Sequence, residues 1–411
     1  MLLIKKLLSR LSYWHFYKPT TYYVSYIKLL ALIILIFNIF TFDSLNATDV
    51  KILLTSAEHK VVTTWKISCS GDLYVGVPKQ LGTRQKITNQ KNSTITIKNQ
   101  TIYLNQQKWP HATIYLLPTE KAHISLDGQP YHGLFLITKY QGQFLLINYV
   151  ELEDYVCSVL KTECWPNWPA ESFKVSAIAS RSYITAKILE ARKHKDHPPY
   201  HASNTNKHQT YSGMHDCPKL RQAVEDTKGI IISYNKKPIL AMFDCCCGGI
   251  IPAHMSEVDF IAAPYLKRTY PCNYCSSWKY YTWEAKFSVA KFKENIQKEF
   301  PQIKNISHIQ LKKDRAGIVH LVTIKDGNKV YKLKGKLLYK LFKEIKSFSF
   351  SVTKQADQVI VNGQGYGHHL GICQWGAYQM VKEGWQHKEI LKFYFPGTQF
   401  MRIKQQSSEI N

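Results

Sequence analysis

The 411-residue sequence predicts an α+β protein: mixed sheets with a few helices, two lobes around a groove, and a β-rich N-terminal region in front. Two observations favour this class. Residues 50–150 consist of short runs rich in β-branched and aromatic residues, broken by Asp-Gly and Gln-Gly turns. From residue 151 onward, apolar residues recur at helical spacing between further strand-like runs. The length suits one large domain or two to three smaller ones.

The N-terminal segment, residues 1–47, has the layout of a signal peptide or a signal anchor. An apolar run over 29–42 is followed by Ala47, a small residue suited to cleavage. The run is shorter than the roughly 20 residues that a spanning helix needs, and Asn38 interrupts it. Five basic residues precede it: Lys5, Lys6, Arg10, Lys18 and Lys28. We therefore expect a chain exported across the cytoplasmic membrane, either periplasmic or membrane-anchored, with a buried core helix as the alternative.

The net charge of +25 attracts polyanions such as nucleic acid, an acidic membrane surface or an anionic cell-wall polymer. The basic residues are spread along the chain, so a general lysine-rich composition is an alternative explanation. Aromatic residues make up 13% of the chain, which suits either stacking on sugars or a tyrosine-rich core. We expect no nucleic-acid partner, because an exported chain without a recognisable binding motif disfavours one.

Two consecutive helices are predicted after residue 150. The second begins near Pro169, a residue suited to the first helical turn. A short helix that ends at Gly229 and a hairpin follow, and residues 363–385 read as a Gly-rich loop and then a helix. One face of the first helix is apolar at positions i, i+3, i+4, i+7 and i+8: Leu152, Tyr155, Val156, Val159 and Leu160.

Glu163 occupies a position where this apolar face predicts an apolar residue. Packing beside apolar neighbours such as Trp165 and Trp168 would remove water, and the negative end of the helix dipole adds to that effect, so both favour the protonated acid. An acid that keeps its proton near neutral pH can protonate a leaving oxygen. Because Pro166 ends the helix, the side chain could sit at a rim. The alternative is a Glu that turns outward at a fraying helix end.

Four ordered segments between Tyr131 and Thr398 resemble hallmark sequences of the SpoIID/LytB family. They are LEDYVCSVLKTECWPNWPAESFKVSAIASRSYITAK, GMHDCPKLRQAVEDTKGIIISYNKKPILAMFDCCCGG, APYL with a cysteine-bearing loop, and GQGYGHHLGICQWGAYQMVKEGW…ILKFYFPGT. The resemblance suggests a SpoIID-like catalytic domain over 131–400, behind a β-rich region over 48–130 and before a tail over 401–411.

The resemblance implies a peptidoglycan lytic transglycosylase, which cuts the β-1,4 MurNAc–GlcNAc bond of glycan strands already stripped of stem peptides by an amidase. Glu163 matches the family's catalytic Glu. One carboxyl group suffices because the substrate's own C6 hydroxyl attacks, which leaves a 1,6-anhydroMurNAc end, and no cofactor is expected. One alternative is a non-catalytic wall-binding activator of an amidase. Another is a hydrolase whose second carboxylate is Asp154, Asp244 or Asp259.

The resemblance also suggests five substrate-binding residues: Arg181, Tyr183, His368, Gln374 and Trp375. Arg181 would bind a lactyl carboxylate, although its place on an apolar stripe fits a buried ion pair equally well. His368 could donate a hydrogen bond and Trp375 could stack on a sugar. A tightly packed junction between loop and helix is the alternative for this segment. The sequence also departs from the family, since His369 replaces the usual Gly and Asp244 stands where a His is common.

Metal binding is left open by the sequence. Family members with a zinc site carry His and Cys ligands in the loop before a Gln-x-Tyr, where this chain keeps His201 and His208, and the proposed chemistry needs no metal. Five of the ten cysteines lie between residues 245 and 275. On a strand, Cys245 and Cys247 would share a face. A disulfide from the Cys245–Cys247 triplet to Cys272 or Cys275 is the favoured expectation, with free thiols or a Cys-rich zinc site as alternatives.

Overall fold

The computed structural model of the chain describes residues 49–57, 62–77, 85–87, 93–194 and 196–403. The predicted signal segment and most of the predicted tail lie outside the described residues. Within the described ranges, the structure contains no helix that combines the length and the apolar character needed to cross a membrane.

The first twelve strands precede every described helix. They are β1 (Asp49–Ala57), β2 (Thr63–Cys69), β3 (Leu73–Gly76), β4 (Gln85–Lys86), β5 (Ser93–Lys98), β6 (Thr101–Leu104), β7 (Gln107–Lys108), β8 (Ile114–Pro118), β9 (Ile124–Leu126), β10 (Gln129–Tyr131), β11 (Leu134–Tyr140) and β12 (Gln143–Glu151). The β-rich reading of residues 50–150 is therefore confirmed.

The remaining strands alternate with helices and short 3₁₀ turns. The strands are β13 (Ala202–Ser203), β14 (Ile230–Tyr234), β15 (Lys237–Pro238), β16 (Phe243–Asp244), β17 (Thr282–Ser288), β18 (His308–Lys313), β19 (Val319–Asp326), β20 (Lys329–Lys334), β21 (Ser349–Gln355), β22 (Gln358–Gln364), β23 (Ile372–Cys373) and β24 (Gln399–Arg402). The α-helices are α1 (Leu152–Glu163), α2 (Ala170–Lys193), α3 (Pro218–Asp226), α4 (Val289–Gln297), α5 (Gly335–Leu341), α6 (Gln374–Lys382) and α7 (His387–Tyr394). The 3₁₀ turns are Pro252–His254 and Pro264–Leu266.

Two large sheets together contain the first twelve strands and β13. One has seven strands in the order β13-β1-β12-β11-β8-β3-β4, and the other has six in the order β10-β9-β2-β5-β6-β7. In the first, β1 pairs antiparallel with β12, with Val50 opposite Val150. This sheet takes strands from both sides of residue 130, so it spans the predicted boundary between the regions 48–130 and 131–400. That boundary stays a prediction.

Helix α1 begins where β12 ends. The Glu151 carboxylate accepts hydrogen bonds from the main-chain amides of Glu153 and Asp154, at 3.0 and 3.3 Å, and so caps amides that have no partner within the helix. The predicted apolar face of α1 is fully buried. Pro169 is the N-cap residue of α2, so both predicted helices are confirmed.

Helices α2, α6 and α7 share one hydrophobic core with the three-stranded sheet β15-β14-β24. The short parallel pair β16 and β23 joins this core. A second core lies between α4, α5 and two further three-stranded sheets, β17-β22-β21 and β18-β19-β20. Mostly antiparallel sheets with helices packed beside them make this an α+β protein, as the sequence predicts.

Candidate active site

A cleft of ≈ 630 Å³ brings together segments from three of the four family-like motifs. Its walls come from the end of α1, Tyr183 of α2, the loop 206–209, the segment 241–245, Tyr339 of α5, the loop 366–368 and Gln374. These segments are up to about 200 residues apart in sequence, so it is the fold that brings them together. A cleft of this kind is the expected location of a binding or active site.

Glu163 lies in the wall of this cleft and is half-buried. It is the last residue of α1, and the main chain becomes extended at Cys164, two residues before Pro166. The carboxylate atom Oε1 accepts a hydrogen bond of 3.1 Å from the Thr210 amide. Thr162 Oγ1 donates to the Thr210 carbonyl at 2.6 Å, which ties the same loop to the end of α1. The acid therefore faces the cleft from a fixed helix end.

Arg181 does not line the cleft, so its assignment as a substrate-binding residue is wrong. It is 0% exposed and forms a two-pronged ion pair with Glu153, in which Nη2 lies 2.6 Å from Oε2 and Nε lies 3.1 Å from Oε1. The guanidinium also donates to the carbonyl of Ile230 at 3.0 Å. The physical reason is the apolar stripe of α2, which carries Arg181 into the core, where only a buried carboxylate can balance its charge.

Tyr183 and His368 both line the cleft as neutral hydrogen-bond donors. Burial, helped by the charge of Glu190, raises the pKa of Tyr183 to about 12. His368 Nδ1 accepts a hydrogen bond of 3.1 Å from the Leu370 amide, which leaves the hydrogen on Nε2. Burial lowers the pKa of His368, against a smaller opposite effect of main-chain hydrogen bonds. Tyr183 can therefore offer a proton to a sugar hydroxyl or acetamido oxygen, whereas the main-chain carbonyl of Phe243 competes for the N–H of His368.

Trp375 is not part of the cleft wall, so the structure does not give it the predicted sugar-stacking position. Its ring stacks on Trp278, with centroids 5.0 Å apart and planes 20° apart, and it meets the edge of Trp168 at 5.6 Å. Trp165, which lines the cleft and is 57% exposed, lies at 6.2 Å from the same ring. Trp165 follows the helix end and is exposed, whereas Trp375 belongs to a packed aromatic cluster.

Asp244 is the second carboxyl group in the cleft wall among the described residues. It is 6% exposed, and its Oδ2 accepts a hydrogen bond of 2.6 Å from the His369 amide. Burial raises the pKa of Asp244 well above its usual range. A Cβ at Gly367 would lie 2.5 Å from the Asp244 Cβ, so only glycine allows this close approach.

His369 adopts a left-handed conformation, with φ of 66°, where glycine is usual. The resemblance suggests a Gly at this position, and the positive φ is a physical reason that a Gly suits it. The buried ring compensates by donating from Nδ1 to the Cys247 carbonyl at 3.0 Å, and burial lowers the pKa of His369 to about 4. The substitution therefore ties the loop 366–368 to the cysteine-bearing segment.

Gln209 is a cleft residue that the sequence reasoning missed. It is 1% exposed, and its Oε1 accepts a hydrogen bond of 2.9 Å from the Tyr155 hydroxyl. Its buried Nε2 has no hydrogen-bond partner among the described residues, and the side chain lines the cleft. An unpaired buried amide is costly and invites a ligand acceptor. The Gln-x-Tyr pattern marked this position, but only as the end of a possible metal loop.

The two histidines of that loop, His201 and His208, accept hydrogen bonds from different main-chain amides. His201 Nδ1 accepts from the Lys51 amide at 3.1 Å, and His208 Nδ1 accepts from the Ser203 amide at 3.3 Å. Neither belongs to the one group of His, Cys, Asp or Glu side chains that lie close enough to share a metal ion in the described parts of the chain.

That group consists of four buried cysteines: Cys247, Cys272, Cys275 and Cys373. All ten cysteines are free, so the expected disulfide from the Cys245–Cys247 triplet is wrong. Four sulfurs converge here, and the Cys247 and Cys275 sulfurs are 3.8 Å apart, beyond bonding distance. The strand also ends at Asp244, so simple alternation does not govern the triplet. Cys373 was not expected, because its position in GICQWG lies far from the other three in sequence.

Comparison with known proteins agrees with the motifs. The chain matches the family model SpoIID, stage II sporulation protein, over residues 140–234, a range that contains Glu163. It is 30% identical over 289 residues to an uncharacterised protein of Brachyspira hyodysenteriae, with 69% of this chain and 76% of the relative covered. It is 25% identical over 295 residues to stage II sporulation protein D of Bacillus subtilis, with 69% and 82% covered. A 23% match over 330 residues to the amidase enhancer of Bacillus subtilis covers 67% of this chain but 44% of that protein.

Proposed function

Because the chain belongs to the SpoIID/LytB family, we propose that it is a lytic transglycosylase that cleaves the β-1,4 MurNAc–GlcNAc bond of denuded peptidoglycan. The observation that carries the proposal is the place of Glu163. Its carboxyl group lies in the wall of a cleft that is also lined by the Gly367–His368 loop and Gln374. A held carboxyl group in a cleft with neutral hydrogen-bond donors suits a substrate whose reacting bond carries no charge, as in a sugar backbone.

Glu163 would act twice in one reaction. The Thr210 amide holds Oε1, so Oε2 is the oxygen from which a proton would pass to the glycosidic oxygen as that bond breaks. The C6 hydroxyl of the same MurNAc then attacks C1, and the Glu163 carboxylate takes the hydroxyl proton. The products are a free GlcNAc 4-hydroxyl and a 1,6-anhydroMurNAc end, with no water consumed. The acid is regenerated at the end of the cycle.

A hydrolase would need a second, ionised carboxylate to activate water. Asp244 is in the cleft, but its burial raises its pKa well above the usual range, which disfavours the ionised form that a base needs. Asp154 lies outside the cleft wall and pairs with Arg221 at 2.7 Å. Asp259 also lies outside it, exposed, and accepts hydrogen bonds from main-chain amides of its own turn. This arrangement favours the single-carboxyl mechanism.

The charge of the chain supports a cell-wall substrate. Denuded glycan keeps a lactyl carboxylate on each MurNAc, and a net charge of +25 attracts such a polymer. Lys207 places a cation in the cleft wall itself. Export across the cytoplasmic membrane, with the bulk of the chain in the periplasm or anchored at the membrane, would bring the protein to this substrate. An N-acetylmuramoyl-L-alanine amidase acting upstream would supply it.

A second candidate function has its own support. One relative is an amidase enhancer, so this chain could bind the wall and stimulate an amidase without cleaving glycan itself. In that case the cleft would serve as a binding groove, and the proton on Glu163 would be dispensable.

Product analysis separates these functions. Peptidoglycan with and without prior amidase treatment is incubated with the wild type, Glu163→Gln or the exposed control Glu190→Gln, and the released sugars are identified by mass spectrometry. We expect anhydro products from the amidase-treated wall. Glu163→Gln should reduce them by at least about 100-fold, as for loss of a general acid, and the control should retain them.

Other outcomes would contradict the proposal. Reducing-end sugars without the anhydro bridge would indicate a hydrolase. No glycan product from the wild type, together with equal stimulation of an amidase by the wild type and Glu163→Gln, would support the activator instead.

A further inference from the structure

Four cysteine side chains converge behind the cleft. Every pair of their Sγ atoms lies within 4.8 Å, and Cys247 and Cys275 are separated by 3.8 Å. Four sulfurs around a tetrahedral zinc ion, each about 2.3 Å from the metal, would be separated by about 3.8 Å. A disulfide would require about 2.05 Å. The spacing of this cluster therefore matches shared coordination and not pairwise bonding.

The surroundings of the sulfurs suit thiolates. Cys373 Sγ accepts hydrogen bonds from the amides of Cys247 and Gly376, at 3.2 and 3.3 Å. The Tyr394 hydroxyl lies 3.2 Å from the Cys272 sulfur. Donors of this kind offset negative charge on metal-bound sulfur.

The close packing of α6 against the cluster depends on Gly376. A Cβ at Gly376 would lie 2.7 Å from the Cys272 sulfur and 3.2 Å from the Cys373 sulfur, so α6 approaches this closely only because it carries glycine there. All four cysteines are buried. Cys272 and Cys275 also have the Cys-x-x-Cys spacing found in zinc-binding loops.

We propose that Cys247, Cys272, Cys275 and Cys373 bind one tetrahedral zinc ion. Four protein ligands leave no open position, so the ion is structural and takes no part in sugar chemistry. Its ligands come from three segments: the chain after β16, the loop before β17, and the N-cap of α6. The first segment continues from Cys245 in the cleft wall, and the last leads into Gln374. The ion therefore holds two walls of the cleft together, and its binding does not depend on the proposed catalytic function.

The test begins with the full-length chain purified without chelator. We expect one zinc per chain by elemental mass spectrometry. Replacement of zinc by Co²⁺ should give the thiolate-to-metal charge-transfer and d–d bands of a tetrahedral sulfur site. Cys272→Ser and Cys373→Ser should each lose most of the metal. Cys157→Ser, which removes a buried thiol in α1 outside the cluster, should retain it.

Thiol counting on the wild type is a second test, and it does not depend on whether the serine variants fold. The denatured, unreduced and chelator-treated chain should react with alkylating reagent at all ten cysteines. Protection at the four cluster cysteines through disulfides would overturn the proposal. So would a chain that contains no zinc and gives no cobalt–thiolate bands, or unchanged zinc content in both serine variants.

Discussion

The side-chain amide of Gln374 donates a hydrogen bond of 3.0 Å to the main-chain carbonyl oxygen of Glu163, which lies 211 residues earlier in the chain. This bond joins the first turn of α6 to the last residue of α1. It also satisfies one of the carbonyl groups that a helix leaves unpaired at its C-terminal end. Gln374, expected to bind substrate, thus also positions the proposed acid.

Gln374→Ala should lower the catalytic rate more than it weakens substrate binding, because it frees the helix end that carries Glu163. Loss of one such hydrogen bond is worth about 1 kcal/mol, or roughly 5-fold in rate. The measurement is the rate of anhydro-product release at low and at saturating denuded glycan. Gln379→Ala, which breaks an exposed bond to Glu383 on the same helix, is the control. An equal loss in both variants would contradict a positioning role.

Arg181→Met should destabilise the fold without a specific effect on glycan binding. It leaves the Glu153 carboxylate buried without its partner, which typically costs about 3–5 kcal/mol. The measurement is urea unfolding followed by circular dichroism. Lys187→Met, which breaks the more exposed pair with Glu190, should cost at most about 1 kcal/mol. A stable Arg181→Met protein with weakened binding would restore the original substrate-binding assignment.

Trp165→Ala should weaken binding to denuded glycan, because it removes the exposed ring at the edge of the cleft. Aromatic contacts of this kind are worth about 0.5–1.5 kcal/mol, so affinity should fall roughly 2- to 10-fold. Sedimentation with amidase-treated sacculi measures it, in a Glu163→Gln background that prevents cleavage. Trp165→Phe should retain most of the affinity. Unchanged binding by the alanine variant would remove Trp165 from the site.

The free energy of unfolding should decrease as the pH is lowered, because His201 is buried in its neutral form. Burial, helped by the charge of Lys51, lowers the pKa of His201 to about 3 from its ordinary 6.5. Between these pH values the unfolded chain binds a proton that the folded protein does not. The stabilisation is therefore present above pH 6.5 and is lost as pH falls from 6.5 toward 3, by at most about 1.4 kcal/mol per pH unit.

Urea unfolding between pH 7 and pH 5 tests this. In that window His201→Gln should show a shallower fall in the free energy of unfolding than the wild type, while the exposed control His194→Gln should follow the wild type. Parallel curves for all three proteins would show that His201 is not a buried neutral base.

Local patterns predicted most of the elements around the site. The spacing of Leu152, Tyr155 and Val156 defined α1, and Pro169 marked the start of α2, because helix periodicity and termination depend on neighbouring residues. The same reasoning singled out Glu163, since a polar residue on an apolar helix face can be recognised from the sequence alone. The confirmed α+β class rests on the same kind of local signal.

Partners distant in sequence were not predictable in this way. The sequence placed Arg181 on an apolar face. It could not show whether the partner of Arg181 is a carboxylate of a ligand or the carboxylate of Glu153, because the guanidinium group can pair with either. It could not tell that Trp375 packs on Trp278 while Trp165 is exposed, because exposure depends on what the rest of the chain covers.

The sequence by itself determined that this chain is an α+β member of the SpoIID/LytB family and that Glu163 is its candidate acid, because these follow from short-range spacing and from ordered motifs. Only the tertiary structure decided which side chains share the cleft with that acid, that the side-chain Nε2 of Gln209 has no hydrogen-bond partner among the described residues, and that Cys373 joins three other cysteines. Convergence of this kind depends on how helices and sheets pack, and packing is a property of the whole chain.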